Sequence, residues 1–339
     1  MELVASAQAA ERACVSKQPV KAKLLDALLS DVLLPPLPAN VPEAVVGPSL
    51  VDHNMAVRQL LTGATCIEAS NVARYFEENY IGNDRDFTAW QDDLKCLVPP
   101  HEKFFVEWER PNIPGTKRMG VLFVACAPHE VERIACTIFA REGIGSTLKK
   151  IALYRENVRC KWIYITADFL EFLPAEGYTS RLRGPFHIGV TSVAEDGTVL
   201  GNWFQLGSGI EREDSIRVLA ASLVGWTALA MLNCQNIATD AHHVPDAFQK
   251  ARKKSGKRPL VSFHTIRVDL DKTPGQVAAE ALPAGDGSTP RRHKKRGHMK
   301  DYRGGKGLFG RYKGVWYWGP TLAGSEEEGI VVSDYKVNP

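Results

Sequence analysis

The chain has 339 residues, 44% of them apolar and 24% charged, which suffices for a sizeable core and excludes wholesale disorder or a fibrous class. The net charge of +3 hides a segregation: Lys250 to Lys313 holds 18 Lys and Arg against 5 Asp and Glu, and the rest holds 24 against 34. A basic segment on an acidic body points to a polyanion, most often nucleic acid, the plainer alternative being a solvated tail.

Residues 1–19 are Ala-rich and polar, and Glu2 and Glu11 with no basic stretch argue against a secretory signal. From Lys21 to Leu34, Leu24, Leu25, Leu28, Leu29, Val32 and Leu33 recur at helical spacing, until Pro35, Pro36 and Pro38 stop the helix. That apolar face is expected to pack on the body or to meet a protein partner or a second copy. Helices are predicted over 51–61, 69–80 and 87–97, with Ser70 as a cap for the second. Residues 1–100 thus read as a helical N-terminal region.

From Lys103 the period changes. Phe104 to Trp108 and Met119 to Cys126 are β-branched and aromatic runs around a Pro- and Gly-containing turn, a long hairpin. Further strands are predicted near 152–154, 160–165, 187–193 and 200–206, with Glu195-Asp196-Gly197 turning between the last two. Arg212 to Asn233 is a helix that is apolar almost all round, and so buried. Its uncharged stretch from Val218 to Leu232 covers roughly 22 Å, short of the about 30 Å of a bilayer core; no membrane contact is expected. A basic helix (244–254) and a strand (260–268) complete an α+β body over 101–270, with a mixed or antiparallel sheet. Residues 271–290, with Pro and Gly and no aromatic, form a linker to a basic β-rich module, 291–339.

The seven cysteines are odd in number and contain no C-x-x-C pair, so they read as free thiols of a cytoplasmic protein. Phosphate-loop, dinucleotide, H-E-x-x-H and G-x-S-x-G signatures are missing, and no cofactor is indicated. Glu107-Trp108-Glu109 puts two carboxylates on one strand face, a metal pair or, more simply, an exposed face. Asp240, His242, His243 and Asp246 lack a placed third or fourth ligand and read as a polar loop with Asp246 capping the next helix. His129, His187 and His264 stand singly near apolar runs and read as structural.

The final module carries the functional signal. Arg291, Arg292, Lys294, Lys295, Arg296, Lys300, Arg303, Lys306, Arg311 and Lys313 face only Asp301 as counter-charge, and His293, His298, Tyr302, Phe309, Tyr312, Trp316, Tyr317 and Trp318 are interleaved. Cations bind phosphates and release counterions, and ring faces stack bases. Strand alternation puts Trp316 and Trp318 on one face, either as stacking rings or as the core of a small module.

The run His293-x-x-Arg296-Gly297-His298-x-Lys300-x-Tyr302, then Leu308-Phe309-Gly310-Arg311 and Val315-Trp316-Tyr317-Trp318, resembles the tail of uncharacterised phage and mobile-element proteins. Phe104 to Trp108, Asn233 to Asn236 and Gly256 to Pro259 share the resemblance, which is scattered over residues 100–339. It implies a phage or prophage origin, hence the cytoplasm of a host cell, and carries no assigned activity.

The residues lead to a nucleic-acid-binding protein, DNA or RNA, contacting phosphates through the basic module. Two alternatives stand beside it. One is a metal-independent nuclease in which His298 moves the proton, Arg296 and Lys300 hold the phosphate, and Tyr302 or His293 completes the site. The other is a structural or regulatory phage protein whose basic tail meets an acidic protein.

Overall fold

A computed structural model describes residues 23–34, 49–80, 94–109, 111, 113, 115–131, 134, 159–173, 182–206, 212–268, 291–295, 297–308, 310–319, 321–323 and 325–330. The fold is α+β. Helix α1 (Leu24–Ser30) leads through β1 (Leu33–Leu34) and α2 (Ser49–Leu61) to β2 (Thr65–Glu68) and α3 (Ser70–Tyr80). Then come β3 (Lys103–Glu109), β4 (Thr116–Cys126), β5 (Cys160–Phe172), β6 (Leu182–Arg183), β7 (His187–Ala194) and β8 (Val199–Leu206). Helix α4 (Arg212–Leu232), β9 (Ile237–His242), α5 (Asp246–Lys254) and β10 (Phe263–Val268) complete the body. Beyond it lie β11 (Arg291–Lys295), β12 (His298–Asp301), β13 (Val315–Trp318), β14 (Thr321–Ala323) and β15 (Ser325–Ile330).

One mixed sheet organises the described residues, in the order β1-β6-β5-β4-β3-β2-β10-β9, with β7 on the remaining length of the β5 edge and β8 beyond it. The expected hairpin of β3 and β4 is antiparallel, with Glu107 opposite Gly120. Strand β2 runs parallel to both β3 and β10, so β2-α3-β3 is a parallel crossover. Four residues between two helices gave β2 too short a pattern to read as a strand.

Alternation along the strands divides the core. Phe104, Val106 and Trp108 join Val121, Phe123, Tyr164 and Leu170 under α3 and α4. Phe105, Leu122, Val124, Ile163, Ile165 and Phe169 face α1 and α2. Both faces are covered, which is why these strands read as unbroken apolar runs. Helix α4 is buried as expected: Phe123 and Tyr164 meet Trp226 edge to face at 5.0 and 5.6 Å. No helix among the described residues is long and apolar enough to cross a membrane.

Several expectations are corrected. The apolar face of α1 is buried on the sheet through Leu24, Leu25, Leu28 and Leu29, and so is not left for a second copy or a protein partner. Residues 94–99 are not helical. They are strapped across the sheet instead, with Leu97 N–H donating to Gly197 O and Leu97 O accepting from the Tyr164 hydroxyl. Gly197 permits that crossing at φ +84°, since a Cβ there would meet Leu97 N and the Cys96 sulfur at 2.7 Å. The Ser70 hydroxyl does not cap α3; it donates to Glu68 and accepts the Glu109 N–H. Asp246 is the first residue of α5, after Pro245, and makes no side-chain cap. The expected strand at 152–154, the linker 271–290, Cys14 and Cys136 lie outside the described residues. Cys66, Cys96, Cys126, Cys160 and Cys234 are free thiols.

Candidate nucleic-acid interface

Strands β12 and β13 pair antiparallel, with His298 opposite Trp318, Met299 opposite Tyr317, Lys300 opposite Trp316 and Asp301 opposite Val315. The alternation has an energetic basis: Met299, Val315 and Tyr317 are buried in the same cluster as Phe104, Trp226 and Cys234. The hairpin's inner face therefore shares the core of the body. Asn236, fully buried, fixes it there: its side-chain amide donates to Tyr317 O at 2.7 Å and its oxygen accepts Tyr317 N–H at 2.9 Å. Gln235 N–H donates to Val315 O, and Tyr75 OH donates to Gly297 O. Gly314, at φ +127°, lies so close to Gln235 that a Cβ would meet its Cγ at 2.6 Å.

The outer face carries His298, Lys300, Trp316 and Trp318. The Lys300 ammonium sits 4.8 Å from the Trp318 ring centre, and the half-buried His298 ring stacks near-parallel to Trp318 at 6.5 Å. Trp316 is buried, with the Tyr312 ring set steeply against it at 5.9 Å. Both indole N–H groups are buried without a hydrogen-bond partner among the described residues. Trp316 and Trp318 thus support the hairpin, and among the described rings of the hairpin and its loop Tyr312 is the most open to solvent, 44% exposed.

Between the strands lies a glycine-rich loop, described over 302–308 and 310–314. It closes on a bridge between Leu308 and Tyr312, with Leu308 buried as its anchor. Lys306, Arg311 and Lys313 are exposed on it, and Lys300 is exposed at its root. Arg303 is different. Its guanidinium pairs with both Asp301 oxygens, the closer at 2.7 Å, and donates to Lys95 O at 2.8 Å and to Asp196 O. The bonded guanidinium holds the Asp301 carboxyl below its usual range. Arg303 consequently rivets the loop to the β7–β8 turn and the strap at residue 95. Because it consumes Asp301, no carboxylate pairs with Lys300, Lys306, Arg311 or Lys313 among the described residues. Arg291, Arg292, Lys294 and Lys295 lie on β11, which pairs with β14 and β15; Arg296 is outside the described residues. Of the proposed catalytic set, the structure therefore brings together His298 and Lys300 on one face, and leaves Arg296 unplaced.

Glu107 and Asp168 are buried acids that were not legible as such. Glu107, read as part of an exposed pair, is 1% exposed. It accepts the N–H groups of Leu24 and Leu25, at 3.1 and 2.9 Å, and so caps α1 from strand β3. Burial pushes its carboxyl up to about 7, against the lowering effect of those bonds and of Lys23 and Arg118. Asp168, on β5, binds His187 Nδ1 at 2.7 Å inside the sheet. Burial raises the Asp168 carboxyl, partly offset by the His187 bond. His187 is thus structural on one side, while its Nε2 is buried with no hydrogen-bond partner among the described residues. Asp240 pairs with Arg267, and His242 Nε2 meets the Thr265 hydroxyl. Among the described residues no three His, Cys, Asp or Glu side chains converge as a metal site.

Comparison with protein-family models, curated proteins and solved structures finds no match to the chain.

Proposed function

We propose that the protein is a phage-related nucleic-acid-binding protein whose β12–β13 hairpin and loop contact the phosphate backbone. The observation that carries this reading is the set of exposed cations Lys300, Lys306, Arg311 and Lys313 on one hairpin, with its only acid, Asp301, committed to Arg303. Four uncompensated cations beside an exposed Tyr312 suit a polyanion with unpaired bases: the ammonium and guanidinium groups displace condensed counterions, and the ring offers a surface for stacking. The loop is also tied to the body by the Leu308 anchor and the Arg303 bonds, which lowers the ordering cost that opposes binding. Phage origin, and with it the cytoplasm of a host cell, rests on the resemblance of the 293–318 motifs.

Deleting residues 291–339 is a poor test, because it would strip Met299, Val315 and Tyr317 from the core. The better perturbation is Lys306→Gln, Arg311→Gln and Lys313→Gln together. Binding to a fluorescent mixed-sequence 40-nucleotide strand, DNA and RNA in parallel, is expected to weaken, and the slope of log affinity against log salt to flatten by about 2 to 3. Unchanged affinity and slope in a folded variant refute the proposal. Retained binding with gel-visible cleavage that His298→Ala abolishes would favour the nuclease reading instead.

A further inference from the structure

The geometry points to a second phosphate-contacting site, on the outer face of α5 and the turn after it, which holds the same nucleic acid at a separate place. This inference rests on the function proposed above.

Helix α5 buries none of its residues. An element that adds nothing to the core is normally held loosely, yet this one is fixed by polar bonds on its inner side. Gln249 and the Leu260 backbone exchange two hydrogen bonds, at 2.7 and 2.9 Å. Arg252 Nε donates to Arg258 O, and Arg258 Nη1 donates to Leu29 O on α1. Leu260, buried, ends the segment. The inner side is thus Gln249 and Arg252.

The outer side presents Lys250, Lys253, Lys254 and Lys257, all exposed. Lys250, Lys253 and Lys254 lie three and four residues apart along the helix, and Lys257 follows in the turn after Gly256. None has a carboxylate partner among the described residues, and Asp246 is the one acid on the helix. Lysines near a helix C-terminus gain something from the helix dipole, but only about 0.3–1 kcal/mol each, and within the last turn. That accounts for Lys253 and Lys254 better than for Lys250 and Lys257. Four exposed ammonium groups with no carboxylate partner among the described residues are complementary to a polyanion. The lysines are tied to α1 and to the Leu260 backbone through bonds of their own segment, whereas the hairpin loop is joined to the β7–β8 turn and residue 95. These are different anchorages, so the two contacts should act as linked modules, the second adding to the first by effective concentration.

The test uses the full chain and the same 40-nucleotide strand. Lys250→Gln, Lys253→Gln, Lys254→Gln and Lys257→Gln together remove four charges without burying or exposing anything. Thermal unfolding should stay cooperative and shift only slightly, by the helix-dipole contribution lost at Lys253 and Lys254, which shows that the variant folds. The salt slope is expected to flatten by about 2 to 3, at about 0.7 per lost contact to a single strand. Combining these changes with the loop triple should lower the slope by the sum of the two effects. If the α5 variant binds like the parent while the loop triple is weakened, this inference is overturned and the proposed function stands. If neither set changes binding, the function itself fails. If the α5 variant loses adhesion to vesicles of anionic phosphatidylserine and keeps oligonucleotide affinity, the stripe serves a lipid surface and the inference is likewise overturned.

Discussion

Replacing Glu107 with glutamine should change how stability depends on pH, and the sign and size both follow from the site. The carboxylate is buried between β3 and the first turn of α1, where it accepts the N–H groups of Leu24 and Leu25. Its pKa is pushed up to about 7, against an ordinary value of 4.5, chiefly by burial. Folding therefore favours the protonated acid. The stabilisation from this group is complete below about pH 4.5 and is lost as the pH rises through about 7. A tenfold change in proton affinity is worth about 1.4 kcal/mol, so the wild type should lose about 2–3 kcal/mol from this acid between pH 5 and pH 8. Glutamine carries no such proton. It keeps one acceptor oxygen and turns an NH2 group toward the other backbone N–H, leaving a buried donor unpaired at about 1–3 kcal/mol. The variant should thus be clearly weaker at pH 5 and close to the wild type at pH 8. Urea unfolding of both proteins at the two pH values, followed by tryptophan fluorescence, reads the difference directly. Asp26 and Asp168 are also raised by burial, but they are common to both proteins and cancel. Parallel pH profiles for wild type and variant would refute the reasoning.

Three further outcomes are expected. Asn236→Ala strands the backbone N–H and C=O of Tyr317, both buried, and should cost about 2–4 kcal/mol while amide-exchange protection falls over 298–301 and 315–318; protection that stays intact there would show the hairpin is held by other means. Arg303→Ala releases Asp301, Lys95 O and Asp196 O, and since that cluster is about one-third exposed, the cost should be only about 1–2 kcal/mol, with exchange rising across 302–314. His187→Ala leaves the Asp168 carboxyl buried without its partner and should cost about 3–5 kcal/mol by chemical denaturation, more than Asp168→Asn, which keeps an acceptor for Nδ1–H; the reverse order would mean the pair is held as something other than a charge-assisted bond.

Legibility followed range. Val121-Leu122-Phe123-Val124 was readable as a strand because both of its faces are buried, and α4 was readable as buried because it has no polar stripe. Four residues of β2 between helices were not, since a parallel strand inserted between β3 and β10 is stabilised by partners about 40 and 200 residues away rather than by its own pattern. The cationic loop was plain from charge alone. That Arg303 is withdrawn from it, and that Lys300 and His298 lie against Trp318, depends on the register of β12 against β13 and on contacts to residues 95 and 196.

Local periodicity and composition were enough to determine the α+β class, the buried long helix and the concentration of positive charge toward the carboxyl-terminal third, because each is a property of neighbouring residues. Tertiary structure alone decided which charges remain available. Glu107 becomes a helix cap, Asp168 a histidine partner and Arg303 a rivet, while Lys306, Arg311 and Lys313 stay exposed. The reason is desolvation: whether an ionised group is paired inside or left to solvent depends on what folding brings beside it, and the partners of Glu107 and Asp168 and the Lys95 carbonyl that Arg303 reaches are 19 to 208 residues away along the chain.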